Sequence, residues 1–272
     1  MQTPSSALSP KVYIVGAGPG DPELLTLKAQ RLLSRADVVL YANSLVPPEV
    51  LAHARADATR IPTASKTLED ILPLMVAAVR SQKSVVRLHS GDPSLYSAIG
   101  EQMRALAEAE IPFEVVPGIS AFQAAAATLG VELTVPALVQ TIILTRISGR
   151  TNVPEAEELA SLAAHKASLC LYLSARHVED SQAKLMQHYD PETPVAVCFR
   201  VGWPDEVIEV VPLREMAQTT REQDLIRTTL YIISPALAQT PEARSRLYSP
   251  SHDHLFRPDV SLDGDRRSAV GG

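Results

Sequence analysis

The chain has only two cysteines in 272 residues, Cys170 and Cys198. Each sits inside an apolar, strand-like run. That excludes a disulfide scaffold and reads as reduced core thiols in a cytoplasmic protein. A basic surplus is missing as well. The 25 Lys and Arg stand against 31 Asp and Glu, for a net charge of −6, and a general nucleic-acid binder carries the opposite balance. No apolar run approaches the roughly 20 residues that span a bilayer, so no membrane partner is expected. The first ten residues, MQTPSSALSP, have no basic stretch followed by an apolar one, and no secretory signal is read there. No second His, Cys or acid stands at ligand spacing near His89, which argues against a metal. A Gly-x-Ser-x-Gly nucleophile elbow is also absent.

What is there is a globular composition, 46% apolar, of a length that suits one large or two small domains. Residues 1–10 read as a disordered arm. From there to residue 133, short apolar strands alternate with amphipathic helices, which predicts right-handed crossovers and a mainly parallel sheet. The expected strands are Val12–Val15, Asp37–Tyr41, Ser84–Leu88 and Phe113–Val116. The spacing predicts a helix from Asp21 to about Ala36, with Asp21 as N-cap and Pro22 in the first helical position. Thr67-Leu-Glu-Asp70 has the form of a capping box. Gly130 closes an alanine-rich helix. After a linker near 131–136, residues 137–237 predict a second α/β domain. Its strands fall near 141–145, 168–173, 194–199, 206–211 and 228–233, and its helices near 155–165 and 176–189. The last two strands leave little room for crossover helices, so this sheet is expected to be mixed. Residues 240–272 read as a mobile tail.

The stretch 86–96, VRLHSGDPSLY, reads as a buried strand that stops at Ser90-Gly91-Asp92-Pro93 and turns into a helix at Ser94. Gly91 allows close backbone approach, and Asp92 suits either a helix cap or a ligand hydroxyl. The turns at Gly16, Ser90 and Gly118 are expected on one edge, beyond the carboxyl ends of the strands, where ligands sit in such sheets. Gly16-Ala-Gly-Pro-Gly-Asp21 breaks the dinucleotide fingerprint, because Asp21 stands where its last glycine belongs, and it lacks the Lys-Ser/Thr of a phosphate loop. A nicotinamide dehydrogenase is therefore disfavoured. Arg146 and Arg200 end strands, where arginine forks bind carboxylates. For Arg200 the competing reading is an ion pair with Asp205 or Glu206. Lys66 is a loop lysine, either solvated or set against a substrate. For Arg150 and Arg176 salt bridging is the favoured reading.

The stretches 12–26 (VYIVGAGPGDPELLT), 86–96 and 115–121 (VVPGISA) resemble, in order and spacing, those of the tetrapyrrole (corrin/porphyrin) methyltransferase family, and the resemblance runs from about residue 11 to 237. It implies two α/β domains with S-adenosylmethionine in the cleft between them, and a homodimer. It also implies a cofactor shell of Pro19, Ser90, Gly91, Asp92, Leu95, Tyr96, Ser120, Ala121, Leu173, Val201 and Thr229. The segments 41–46 (YANSLV), 144–150 (LTRISGR) and 200–206 (RVGWPDE) look most like the branch that methylates C11 of precorrin-4 in cobalamin synthesis. Methylation at C17 or C20, or a non-catalytic tetrapyrrole-binding module, are the alternatives. Relatives that methylate uroporphyrinogen carry an aspartate where this chain has Ala42, so a base at that place is not expected. Lys66 matches a lysine of those relatives and is the candidate catalytic residue. Arg146, Arg200 and Lys66 are the expected substrate contacts.

Overall fold

The computed structural model describes residues 7–149 and 152–238. Arg150, the first six residues of the N-terminal arm and the 240–272 tail lie outside the described residues. Within them, two five-stranded sheets organise the chain.

The first sheet holds β1 (Val12–Gly16), β2 (Val38–Tyr41), β3 (Thr59–Pro62), β4 (Val85–His89) and β5 (Phe113–Val116), in the order β3-β2-β4-β1-β5. Every pairing is parallel. Its inner strands are mostly apolar because both faces are covered. Tyr13, Val15, Val86 and Leu88 face one cluster, beneath α1 (Leu27–Leu33) and α2 (Pro48–Leu51). Val12, Ile14, Val85 and Leu40 face the other, beneath α3 (Leu68–Arg80) and α4 (Ile99–Glu108). Ile14, Leu40, Met75, Leu88 and Leu106 are fully buried, each worth about 1.5–3 kcal/mol of transfer free energy. The helix α3 starts where the capping box places it. The Asp70 amide donates to Thr67 Oγ1 at 3.3 Å, and the Thr67 amide donates to Asp70 Oδ2 at 3.0 Å.

The helix α5 (Ala121–Leu129) leads out of the first sheet and ends on Gly130, which is left-handed at φ 65°. The second sheet follows: β6 (Ile142–Arg146), β7 (Ser168–Tyr172), β8 (Pro194–Phe199), β9 (Val207–Pro212) and β10 (Thr229–Ile233), in the order β6-β7-β10-β8-β9. The β6–β7 pairing is parallel and the other three are antiparallel, so the sheet is mixed as expected. Side chains alternate between two cores. Leu169, Leu171, Val195, Val197, Tyr231 and Ile233 pack beneath α6 (Leu159–Ala163), α7 (Val178–Leu185) and α8 (Met216–Glu222). Cys170, Ala196, Cys198, Leu230 and Ile232 share the other cluster with Ala124 and Ala125 of α5. Both cysteines are free. Small side chains on both sides let the helix lie close to the sheet.

The structure corrects four expectations. The helix predicted from Asp21 divides: Asp21 caps a short turn, Pro22–Leu24, and α1 begins at Leu27 with Thr26 Oγ1 accepting from the Ala29 amide. The helix predicted from Ser94 begins at Ile99. The strand β3 was not expected; it is a largely exposed edge strand with a proline at its end, which gives little apolar signal. The helix α8 does fit between the last two strands, because β9 and β10 both run antiparallel to the intervening β8 and are joined by a crossover. Leu8, from the end of the N-terminal arm, packs against the α1–α2 core.

Candidate functional site

Because β1, β4 and β5 run the same way, their following turns meet at one edge. There they are joined backbone to backbone. The amides of Gly18 and Gly91 donate to each other's carbonyls, at 3.3 and 2.7 Å, and the Ala17 amide donates to the His89 carbonyl at 2.7 Å. The third turn closes in through Gly118. A Cβ on Gly16 would stand 2.6 Å from Gly118 Cα, and one on Gly118 would stand 2.8 Å from Gly16 Cα. Only glycine fits this junction.

Asp92 ties it together. Oδ1 accepts from the Ser94 amide at 2.8 Å and from the Ser94 hydroxyl, and Oδ2 accepts from the Gly118 amide at 2.8 Å. Burial works to raise this carboxyl, but the bonds from Ser94 and Gly118 outweigh it and hold it below the usual carboxylate range. Asp92 therefore caps no helix. It closes an Asx turn and pins the third turn to the second. The chain continues through Tyr96 and Ala98, both left-handed at φ 54° and 48°.

The second domain meets this edge at its own strand ends. The Trp203 indole N–H donates to the Pro19 carbonyl at 3.2 Å. Gly202, at φ 78°, lies so close to Asp21 that a Cβ there would stand 2.7 Å from the Asp21 amide nitrogen. Tyr172 ends β7 and shares a hydrogen bond with Ser120 Oγ at 2.9 Å, while its hydroxyl oxygen accepts from the Phe122 amide at 3.2 Å. Burial pushes the Tyr172 hydroxyl up to about 12. Its ring lies 5.4 Å from that of Tyr96. Leu173, Arg200 and Thr228 are all left-handed, at φ 55°, 48° and 54°. Such backbone strain gathers at functional sites. Leu173 and Tyr96 are large apolar side chains left 61% and 43% exposed.

The residues expected around a cofactor are thus largely brought together. Pro19, Ser90, Gly91, Asp92 and Ser120 belong to the joined turns, with Leu95, Tyr96 and Ala121 adjoining them. Leu173, Val201 and Thr229 lie at the facing strand ends. Thr229 Oγ1 donates inward to the Leu225 carbonyl. Arg200 is held in an ion pair with Asp205 and lies over the Trp203 ring, 5.0 Å from its centroid. It also borders a depression of about 510 Å³ lined by Arg176, Phe199, Asp224, Ile226 and Arg227. Arg176 makes none of the salt bridges expected of it; among the described residues neither its side chain nor that of Arg227 has an ion-pair partner. Arg146 stands in register beside Tyr172, and its Nε donates to the Ile147 carbonyl at 3.3 Å. Lys66 is exposed on the loop after β3. Ala42 puts no carboxylate at the end of β2. Sequence reasoning missed Tyr172 and the roles of Gly118 and Gly202. A tyrosine ending a buried strand was the one local sign of the first.

No helix among the described residues is long and apolar enough to cross a membrane. Among the same residues there is no group of three or more His, Cys, Asp or Glu that could hold a metal.

Comparison with known proteins gives this geometry a context. The chain is 45% identical over 247 residues to the precorrin-4 C(11)-methyltransferase of Pseudomonas aeruginosa, covering 91% of this chain and 98% of that one. The solved structure of a cobalt precorrin-4 methyltransferase, CbiF, superposes with a TM-score of 0.82 at 41% identity, covering 85% of this chain and 97% of that one. A uroporphyrin-III C-methyltransferase from Thermus thermophilus, solved with S-adenosyl homocysteine, superposes with a TM-score of 0.71 at 31% identity, over 84% of this chain and 98% of that one. The family described as Tetrapyrrole (Corrin/Porphyrin) Methylases matches residues 11–217. The chain belongs to the tetrapyrrole methylases.

Proposed function

We propose that the protein transfers the methyl group of S-adenosylmethionine to C11 of precorrin-4, or of its cobalt form, to give precorrin-5 in cobalamin synthesis. The observation that carries this reading is the triple-glycine edge with its facing strand ends, in a chain 45% identical to a precorrin-4 C11-methyltransferase over nearly its whole length.

The residues fit the methyl donor. Gly16 and Gly118 pack backbone to backbone and draw the turns onto one edge, Gly91 leaves bare backbone there, and the exposed Leu173 and Tyr96 offer apolar faces to a purine and a sulfonium. When bound, S-adenosylmethionine supplies an already activated methyl group. The protein's share is alignment. Holding two reactants at about 3–3.5 Å in the right orientation supplies roughly 7–11 kcal/mol of the barrier. Asp92 fixes the shape of the turn, and Ser90, Gly91, Ser120 and Ala121 line it. The left-handed Leu173 and Arg200 hold Leu173 and Val201 at the opposite wall. Methylation at C11 makes a quaternary carbon, so no proton has to leave that carbon, and Ala42 is consistent with that. Arg146 and Arg200 are the residues proposed to face the carboxylates of the macrocycle, with Lys66 a weaker candidate.

The test is to supply methyl-labelled S-adenosylmethionine with metal-free and with cobalt-bearing precorrin-4 and to locate the label by NMR. Label at C11 in either substrate is the expected result. Label at C17 or C20, or no transfer, sinks the reading.

A further inference from the structure

The first sheet buries a cation that has no counter-ion among the described residues. Arg87, in the middle of β4, is 7% exposed. Among the described residues no Asp or Glu pairs with it. Its Nη1 donates to Thr63 Oγ1 at 2.8 Å, and its Nε is buried with no partner. Two more polar side chains belong to the same first-domain core. His89, two residues along β4, and Gln102, on α4, are only 8% and 6% exposed and interact with each other rather than bonding to the guanidinium. Nη2 is the one guanidinium nitrogen with neither a protein partner nor complete burial. A buried guanidinium left this way is costly unless something satisfies it.

The position says what. Through Thr63 the guanidinium reaches across β2 to the carboxyl end of β3. Two loops form the rim there. The Thr63 amide donates to the Tyr41 carbonyl at 2.9 Å, and the Ala64 amide donates to Asn43 Oδ1 at 3.2 Å. Lys66 stands exposed on the same loop. All the strands of this sheet are parallel, so this rim continues the edge that carries the three glycine turns. It sits beside them along the order β3-β2-β4-β1-β5.

We propose that Arg87 binds one carboxylate of the substrate, with Thr63 orienting the guanidinium and Lys66 at the mouth of the slot. The proposal rests on the polycarboxylate substrate of the function proposed above. A guanidinium fork matches a carboxylate's two oxygens. At nine-tenths buried it is out of reach of a rigid macrocycle, but within reach of a carboxylate at the end of a short flexible arm.

The test uses the intact protein and uroporphyrin, a stable polycarboxylate tetrapyrrole, as the probe. Its Kd is read by fluorescence quenching, and that of S-adenosylmethionine by calorimetry. R87M is expected to weaken uroporphyrin about tenfold to a hundredfold while leaving the methyl-donor Kd in place, and R87K is expected to fall between. Should R87M not fold, R87K carries the test. A further readout is the Arg87 Nε–H resonance of the unmutated protein, assigned by its loss in R87K, which is expected to shift on adding uroporphyrin. An unchanged uroporphyrin Kd in a folded variant, or an unmoved resonance, overturns the proposal and leaves Arg87 a water-satisfied structural residue. A protein that binds uroporphyrin through Arg87 yet methylates nothing would sink the proposed function and leave this inference standing.

Discussion

Asp92 Oδ2 accepts the Gly118 amide proton across 26 residues of chain, at 2.8 Å, while its other oxygen closes the turn at Ser94. One carboxylate thus sets the distance between two of the three turns at the sheet edge. Replacing Asp92 with Ala leaves both amides without their acceptor. A hydrogen bond to a charged group contributes about 1.5–3 kcal/mol, so S-adenosylmethionine binding is expected to weaken about tenfold or more. Calorimetric titration of Asp92→Ala against the unmutated protein measures it. Unchanged affinity would show that the turn keeps its shape without the carboxylate.

Tyr172 joins the two domains through its hydroxyl. Tyr172→Phe removes the bonds to Ser120 and to the Phe122 amide but keeps the ring against Tyr96. A loss of about 1–2 kcal/mol in unfolding free energy is expected, read from urea denaturation. A variant as stable as the parent would mean that water replaces the hydroxyl.

Arg146→Ala is expected to raise the KM for the tetrapyrrole by about tenfold, the scale of one charge-assisted contact, and to leave the methyl-donor Kd unaltered. Steady-state kinetics with each substrate varied in turn separates the two. A wild-type KM removes Arg146 from the substrate site.

His89 makes a prediction about pH. Burial, and then the positive Arg87, push its imidazole down to about 4, against about 6.5 in the unfolded chain. The unfolded state therefore binds more protons between these values, and stability falls as pH drops through that window. From pH 7 to pH 5 the contribution lost is about 2 kcal/mol. His89→Gln is expected to flatten this part of the urea-midpoint profile relative to the parent. Parallel profiles would place the titrating group elsewhere.

The parts of the fold legible in the sequence were those whose cause is local. Val12–Gly16 and Thr229–Ile233 are continuous apolar runs because both faces of each sheet are covered. Thr67 and Asp70 cap α3 within a single turn. What stayed hidden depends on distant partners. Thr59–Pro62 becomes a strand only because Val38–Tyr41 lies beside it, and its own side chains stay largely outside. Asp92-Pro93 looks like a helix start, yet the competing acceptor geometry at Gly118 wins. At the site, Gly91 and Asp92 could be picked out from the turn alone. The hydroxyl of Tyr172 could not, since nothing near it in the chain says that the start of α5 lies over the end of β7.

The alanine helix α5 has one more consequence. Cys170 and Cys198 have no accessible surface, lie in the cluster it covers, and have thiols that burial pushes up to about 12. A maleimide is expected to reach them when the helix parts from the second sheet, and that same helix begins at Ser120 in the ligand edge. The alkylation rate of the two thiols is expected to report how often α5 parts from the second sheet, and to slow when S-adenosylmethionine is present.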